Sequence, residues 1–126
     1  MSTTVRVIRP SDFLRARADG HVDLEMGKQL LTDVAKAAAP LDDYEVLIDL
    51  RDAVGMLTPD EVHELAGSLI QFRETFLRRT AVLSPRERFD NARFFSLLAA
   101  SHGIRSVRAF LGYEDAMEWL ESAPEH

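Results

Sequence analysis

The chain has no cysteine. That absence alone excludes disulfide staples, thiol nucleophiles, iron–sulfur clusters and thiolate zinc sites, and it fits a reducing compartment. Long apolar runs are also missing. No stretch approaches the roughly 20 residues that a membrane-spanning helix needs. Arg6 and Arg9 interrupt the apolar residues of Met1 to Pro10, so no signal-peptide core forms there. The cytoplasm is the expected location. A basic surplus is the third thing lacking: Lys and Arg number 15 against 21 Asp and Glu, a formal net charge of -6. Domains that grip nucleic acid carry a basic face, so no nucleic-acid partner is expected.

The motifs of catalysis are missing too. The four histidines, His21, His63, His102 and His126, are far apart and show no ligand spacing. His63 has Glu64 beside it but no second histidine four residues on, so the zinc-protease pattern is incomplete. No nucleophile elbow, Walker-type loop or dinucleotide fingerprint occurs. The expectation is a protein that is not an enzyme, with no metal and no cofactor.

What is present is a globular pattern. A chain of 126 residues that is 46% hydrophobic can bury a core by itself. No repeat, low-complexity tract or linker divides it, so residues 1–126 read as one domain. Thr3 to Arg9 alternates as a strand, and Phe13 to Ala18 alternates again up to the Asp19-Gly20 turn signal. With Pro10-Ser11-Asp12 between them, the two form a hairpin.

Asp23 to Ala39 then turns helical, with Leu24, Leu31, Val34, Ala35 and Ala38 on one stripe and Pro40 as the stop. Tyr44 to Leu50 is apolar on both faces around Val46-Leu47-Ile48, as in the middle of a covered sheet. Thr58-Pro59-Asp60-Glu61 opens the next helix with a cap, a first-turn proline and a capping-box glutamate, and its buried stripe continues to Phe72 and Phe76. Thr80 to Leu83 is a strand. Ser84-Pro85-Arg86-Glu87 repeats the capping logic for a helix to about Ser101, with Gly103 suited to its left-handed end. Ile104 to Phe110 is a last strand, and a short helix follows Gly112 with Ala116, Trp119 and Leu120 inward.

The predicted order is β-β-α-β-α-β-α-β-α, an α/β fold whose five-stranded mixed sheet carries four helices. The helix-linked strands are expected to be parallel and the first strand an antiparallel edge.

Three groups of residues are candidates for function. Asp49, Arg51 and Asp52 lie at the carboxyl end of the central strand, where open α/β sheets place ligands. Asp49 and Arg51, two apart, can instead simply pair. In the following loop Gly55-Met56-Leu57 is an apolar tip, able to tuck inward or to meet a partner. Second, Arg86, Arg88 and Arg93 fall in an arginine-rich stretch with Arg73, Arg78 and Arg79. This is an anion-binding candidate, set against a solvated face paired with Glu74, Glu87 and Asp90. Third, Phe72, Phe76, Phe89, Phe94 and Phe95 can line a cavity or fill the core.

The stretch Val46-Leu47-Ile48-Asp49-Leu50-Arg51, the loop to Thr58, the strand Ala81-Val82-Leu83, and Val107-Arg108-Ala109-Phe110 followed by Glu114 to Leu120 resemble STAS-like domains. Within them the chain is similar to the SpoIIAA-like family of small bacterial proteins. That resemblance implies a STAS fold and relatives of two kinds: anti-sigma-factor antagonists switched by phosphorylation, and domains likened to CRAL-TRIO lipid carriers. In the switched relatives a phosphorylated serine begins the helix after the Asp-Leu strand. Here that place holds Met56-Leu57-Thr58-Pro59, without the Ser-Ser-Gly motif, and Thr58 is the equivalent hydroxyl. By its local sequence Thr58 is a helix cap. A helix start also stabilises a phosphate. Two functions follow as expectations: a regulatory module that binds a protein partner, or a carrier or sensor of a small amphipathic or lipid ligand. A homodimer through an edge strand or the apolar loop is a further expectation.

Overall fold

The computed structural model describes residues 2–8 and 13–122. Arg9 and the Pro10-Ser11-Asp12 turn of the expected hairpin lie outside the described residues. Strands β1 (Ser2–Ile8) and β2 (Phe13–His21) pair antiparallel, with Val5 opposite Ala16. Helix α1 (Leu24–Ala38) starts at Asp23, whose carboxylate accepts from the Met26 N–H at 2.7 Å. β3 (Glu45–Asp49), α2 (Pro59–Leu69), β5 (Thr80–Leu83), α3 (Phe89–Ser101), β6 (Val107–Phe110) and α4 (Tyr113–Glu121) follow, with a two-residue strand β4 (Ala53–Val54) between β3 and α2.

The sheet runs β1-β2-β3-β5-β6. β2, β3, β5 and β6 are mutually parallel, and β1 is the antiparallel edge, as the pattern of helix-linked strands predicts. Alternate residues of these strands face two layers. Leu14, Ala16, Val46, Ile48, Val82 and Val107 pack one core with residues of α1, α2 and α3. Leu47, Ala81 and Leu83 face the other way, onto Ala116 and Leu120 of α4. Burial on both faces is why β3 and β5 read as unbroken apolar runs.

Four boundaries differ from expectation, each for a tertiary reason. β6 begins at Val107 and not at Ile104, whose N–H donates to the Ala99 carbonyl of α3 at 2.9 Å. β2 does not stop at Asp19-Gly20. Gly20 takes a positive φ of 83° and the strand continues to His21, held by β4, whose Ala53 and Val54 pair with Gly20 and His21. β4 itself is too short for any periodicity to reveal. α2 ends at Leu69, and two short 3₁₀ turns at Ile70–Phe72 and Thr75–Leu77 carry the chain to β5, with Phe76 fully buried.

α3 begins at Phe89, not after Ser84. The Ser84 N–H donates to the Phe110 carbonyl at 3.0 Å, extending the β5–β6 ladder. Pro85 stays extended, and a 3₁₀ turn at Arg86–Arg88 precedes the helix. Ser84 therefore caps nothing.

Candidate functional site

The carboxyl ends of β2 and β3 meet the loop from Leu50 to Thr58. Asp49 is 2% exposed, so its charge must be compensated locally. Arg51 does this as a fork: Nε donates to Oδ1 and Nη2 to Oδ2, each at 2.9 Å, while the Arg51 backbone N–H donates to Oδ1 at 3.1 Å. Arg15 of β2 adds Nη2 at 3.6 Å from Oδ2. Burial pushes the Asp49 carboxyl up, but the hydrogen bonds and charge of Arg51, with Arg15 behind them, hold it below the usual aspartate value. The Arg51 guanidinium also lies over the Tyr113 ring, 5.7 Å from its centroid. Asp49 and Arg51 are thus a satisfied pair. Asp52 pairs with Arg17 of β2 at the surface.

Beyond Asp52 the loop is braced from three sides. β4 pairs with the end of β2, and the Val22 N–H donates to the Val54 carbonyl at 2.6 Å. Gly55 has φ of 90°, which favours glycine, and a Cβ there would stand 2.6 Å from the His21 ring, so any side chain would be strained and would have to displace the exposed imidazole. From the 3₁₀ turn before α3, Arg88 donates Nη2 to the Leu50 carbonyl at 2.7 Å and Nη1 to the Gly55 carbonyl at 3.3 Å; from α3, Asn91 Nδ2 donates to the Leu57 carbonyl at 2.8 Å. This bracing leaves two large apolar side chains outward, Val54 at 59% and Met56 at 55% exposure. Leu57 tucks partly inward.

Thr58 closes the loop as the N-cap of α2. Its Oγ1 accepts from the Glu61 N–H at 3.2 Å, and the Glu61 carboxylate accepts from the Thr58 N–H at 2.9 Å, the reciprocal capping box its sequence predicts. The residue is exposed.

The three candidate anion-binding arginines do not share one surface. Arg86 and Arg93 are exposed, whereas Arg88 is buried. Arg78, in the same stretch of sequence, pairs with Asp43 and not with Glu74. The phenylalanines divide as well. Phe76 is core; Phe94 meets the His63 ring edge-on at 5.3 Å; Phe95 lines a cavity of about 100 Å³ between α1, α2, α3 and the sheet. Leu30, Ile48, Leu57, Val62 and Ala92 are part of its largely apolar wall, which Ser84, Arg88 and Asn91 also line.

Sequence reasoning did not place Arg17, His21 or Asn91 at this site. No local pattern marks them, because their roles rest on pairing with the loop across 34 to 35 residues.

No family model matches the sequence, and no curated protein matches it. Solved structures do. An uncharacterised protein of the DUF3478 family with a SpoIIAA-like fold, from Shewanella loihica PV-4, superposes with a TM-score of 0.61 at 20% identity, covering 94% of this chain and 93% of that one. The fold is SpoIIAA-like. An anti-sigma factor antagonist from Mycobacterium paratuberculosis gives 0.59 at 13% identity over 96% of both chains. The anti-sigma factor antagonist SpoIIAA in its unphosphorylated form gives 0.55 at 12% identity, covering 98% of this chain and 100% of that one. At such identities the shared property is the SpoIIAA-like fold itself, the STAS-type α/β arrangement that the sequence resemblance implies. Among the described residues no helix is long and apolar enough to cross a membrane, and no three His, Cys, Asp or Glu side chains gather where a metal could bind.

Proposed function

We propose that this chain is a single-domain, non-catalytic regulatory module that works in the cytoplasm by binding a protein partner through the loop from Asp49 to Thr58. One observation carries the reading: the loop is held rigid from β2 and α3 while Val54 and Met56 project into solvent. A preorganised apolar tip loses little entropy on docking, and a single-site core contact would have turned these side chains inward. Two of the SpoIIAA-like neighbours, both anti-sigma factor antagonists, add support for a protein partner. Asp49, Arg51 and Asp52 shape the base of the surface, and Thr58 stands at its edge as the candidate phosphoacceptor. A phosphate on Thr58 would displace the cap bond to Glu61 while gaining the helix N-terminus.

Site-specific photocrosslinking in cells of the source organism tests this. A crosslinker at Met56 is expected to yield one discrete adduct with a different protein, lost with Val54→Asp, while a crosslinker at exposed Glu118 yields none. An adduct of twice the chain's mass would replace the partner with a homodimer, and no adduct from Met56 would sink the reading. Mass spectrometry of the same native protein reports Thr58 phosphate directly, and its absence under all growth conditions would remove the switch.

The alternative, a carrier or sensor of a small amphipathic or lipid ligand, draws its support from the cavity beside Phe95. The pocket's about 100 Å³ is smaller than a cavity of about 150 Å³ that takes one benzene in a protein interior, so a long acyl chain would need the helices to part or would reach out of the pocket's open side.

A further inference from the structure

On its side of the sheet α4 packs on Leu47, Ala81 and Leu83 of β3 and β5. On the same side β2 presents Arg15 and Arg17, in register with Leu47 and Asp49, and their side chains are 37% and 55% exposed. The alternate residues Leu14, Ala16 and Ala18 are buried on the other side. The β1–β2 register places Arg6 directly opposite Arg15. Like charges opposed in an antiparallel pair are destabilising. Arg17 is answered by Asp52 and Arg51 by Asp49, and Glu45, the other acid of β3 on this side, has the charge of Arg79 near it. Arg15 is left with a 3.6 Å approach to an Asp49 oxygen that Arg51 already holds. Its buried Nε–H has no hydrogen-bond partner among the described residues. Buried donors without acceptors are few in native proteins.

We infer that this half-face of β1 and β2 docks a short acidic segment of the protein partner, with a carboxylate taken up between the Arg6 and Arg15 positions. The inference rests on the loop reading above and adds the partner's chemistry, because Asp49 and Asp52 tie the base of that loop to Arg15 and Arg17. Arginine suits the role, since its planar fork binds a carboxylate through two donors. An arginine that only guards a sheet edge against aggregation belongs on the edge strand, and β2 lies inside β1. Support of Asp49 does not account for Arg15 either, because Arg51 supplies all three hydrogen bonds to that carboxylate. Acids on the partner supply what this face lacks. The chain's net charge of -6 confines the attraction to the face itself, so the segment is short.

The Nε–Hε resonances of Arg15 and Arg17, followed in the isolated chain during titration with a hexaglutamate peptide, provide the test. Hexaglutamate is expected to shift both saturably and a hexaserine peptide to shift neither. Arg15→Gln, read at Arg17, should weaken hexaglutamate binding about fivefold, the upper end for one exposed charge pair. Arg105→Gln, an exposed site beside β6 at the other edge of the sheet, should leave it unchanged. In cells, Arg15→Glu should remove the adduct formed from Met56, and Arg6→Glu repeats the measurement away from Asp49 should the first variant fold poorly. Absence of saturable shifts overturns the inference, as do equal losses from the Arg15 and Arg105 variants. A Met56 adduct undiminished by both charge reversals overturns it and leaves the loop reading standing. Inorganic phosphate that shifts the same resonances as strongly at equal ionic strength replaces the acidic segment with a small anion, and Arg15-dependent sedimentation with phosphatidylglycerol vesicles replaces it with a membrane; either overturns it. Hexaglutamate shifts without any Met56 adduct would sink the loop reading and keep the acidic-segment site.

Discussion

Asp49 shows at the scale of one residue how a buried charge is tolerated. Its oxygens receive three donors from Arg51 and the charge of Arg15, and this outweighs the cost of burial. Because the folded carboxyl ionises below the ordinary value, its contribution to stability is complete above the pH at which an unfolded aspartate titrates, about 3.9. It is lost as pH falls through the lower, folded value. Asp49→Asn is therefore expected to lower stability at pH 7 by about 1.5 kcal/mol, the low end for hydrogen bonds to a charged group because both arginines are more than one-third exposed. Urea unfolding at pH 7 and again near pH 3 checks this. The gap should narrow in acid, and a gap independent of pH would show that the charge is not what the site uses. The pairing was legible in sequence, since an aspartate and an arginine two apart at a strand end can reach each other. The contribution of Arg15 was not, because it comes from a neighbouring strand.

At the scale of an element, the loop between β3 and α2 owes its shape to parts far along the chain. Gly55 is its tightest point. Gly55→Ala must place a Cβ at a φ of 90° and 2.6 Å from the His21 ring. The left-handed backbone costs about 1–2 kcal/mol, and the exposed imidazole must swing away from its 3.0 Å contact with the Val22 carbonyl. Stability is expected to drop by about that amount. Amide exchange should quicken at residues 53–56 and stay slow in β5, as for a local opening. Unchanged exchange in the loop would mean that the bracing by β4, Arg88 and Asn91 does not depend on this turn. Sequence reading saw the apolar tip and the Thr58 capping box, because both are written in adjacent residues. It did not see β4 or the displaced start of α3, because each is settled by a hydrogen-bonding partner elsewhere in the fold: Gly20 and His21 for β4, and Phe110 for Ser84.

For the whole molecule, the two cores on either side of one sheet carry the stability. Phe76 is fully buried although it lies in a 3₁₀ turn and not in α2. Phe76→Ala is expected to cost about 3–5 kcal/mol, a large share of the roughly 5–15 kcal/mol available to a domain. Thermal or urea unfolding should show this loss, and a cost under about 1 kcal/mol would mean the pocket around Phe76 collapses freely. Sequence alone determined the alternation of strands and helices, the double-faced burial of β3 and β5, and the polarity of the central strand's end with its Asp49 and Arg51. Those features follow from periodicity and near-neighbour chemistry, which a chain carries in its local order. Tertiary structure decided what becomes of Arg88. It is one of six arginines in a charge-rich stretch, yet it is buried and reaches Leu50 and Gly55 across 38 and 33 residues to border the cavity. Which arginine turns inward depends on where α3 docks against the sheet, and no local pattern encodes that.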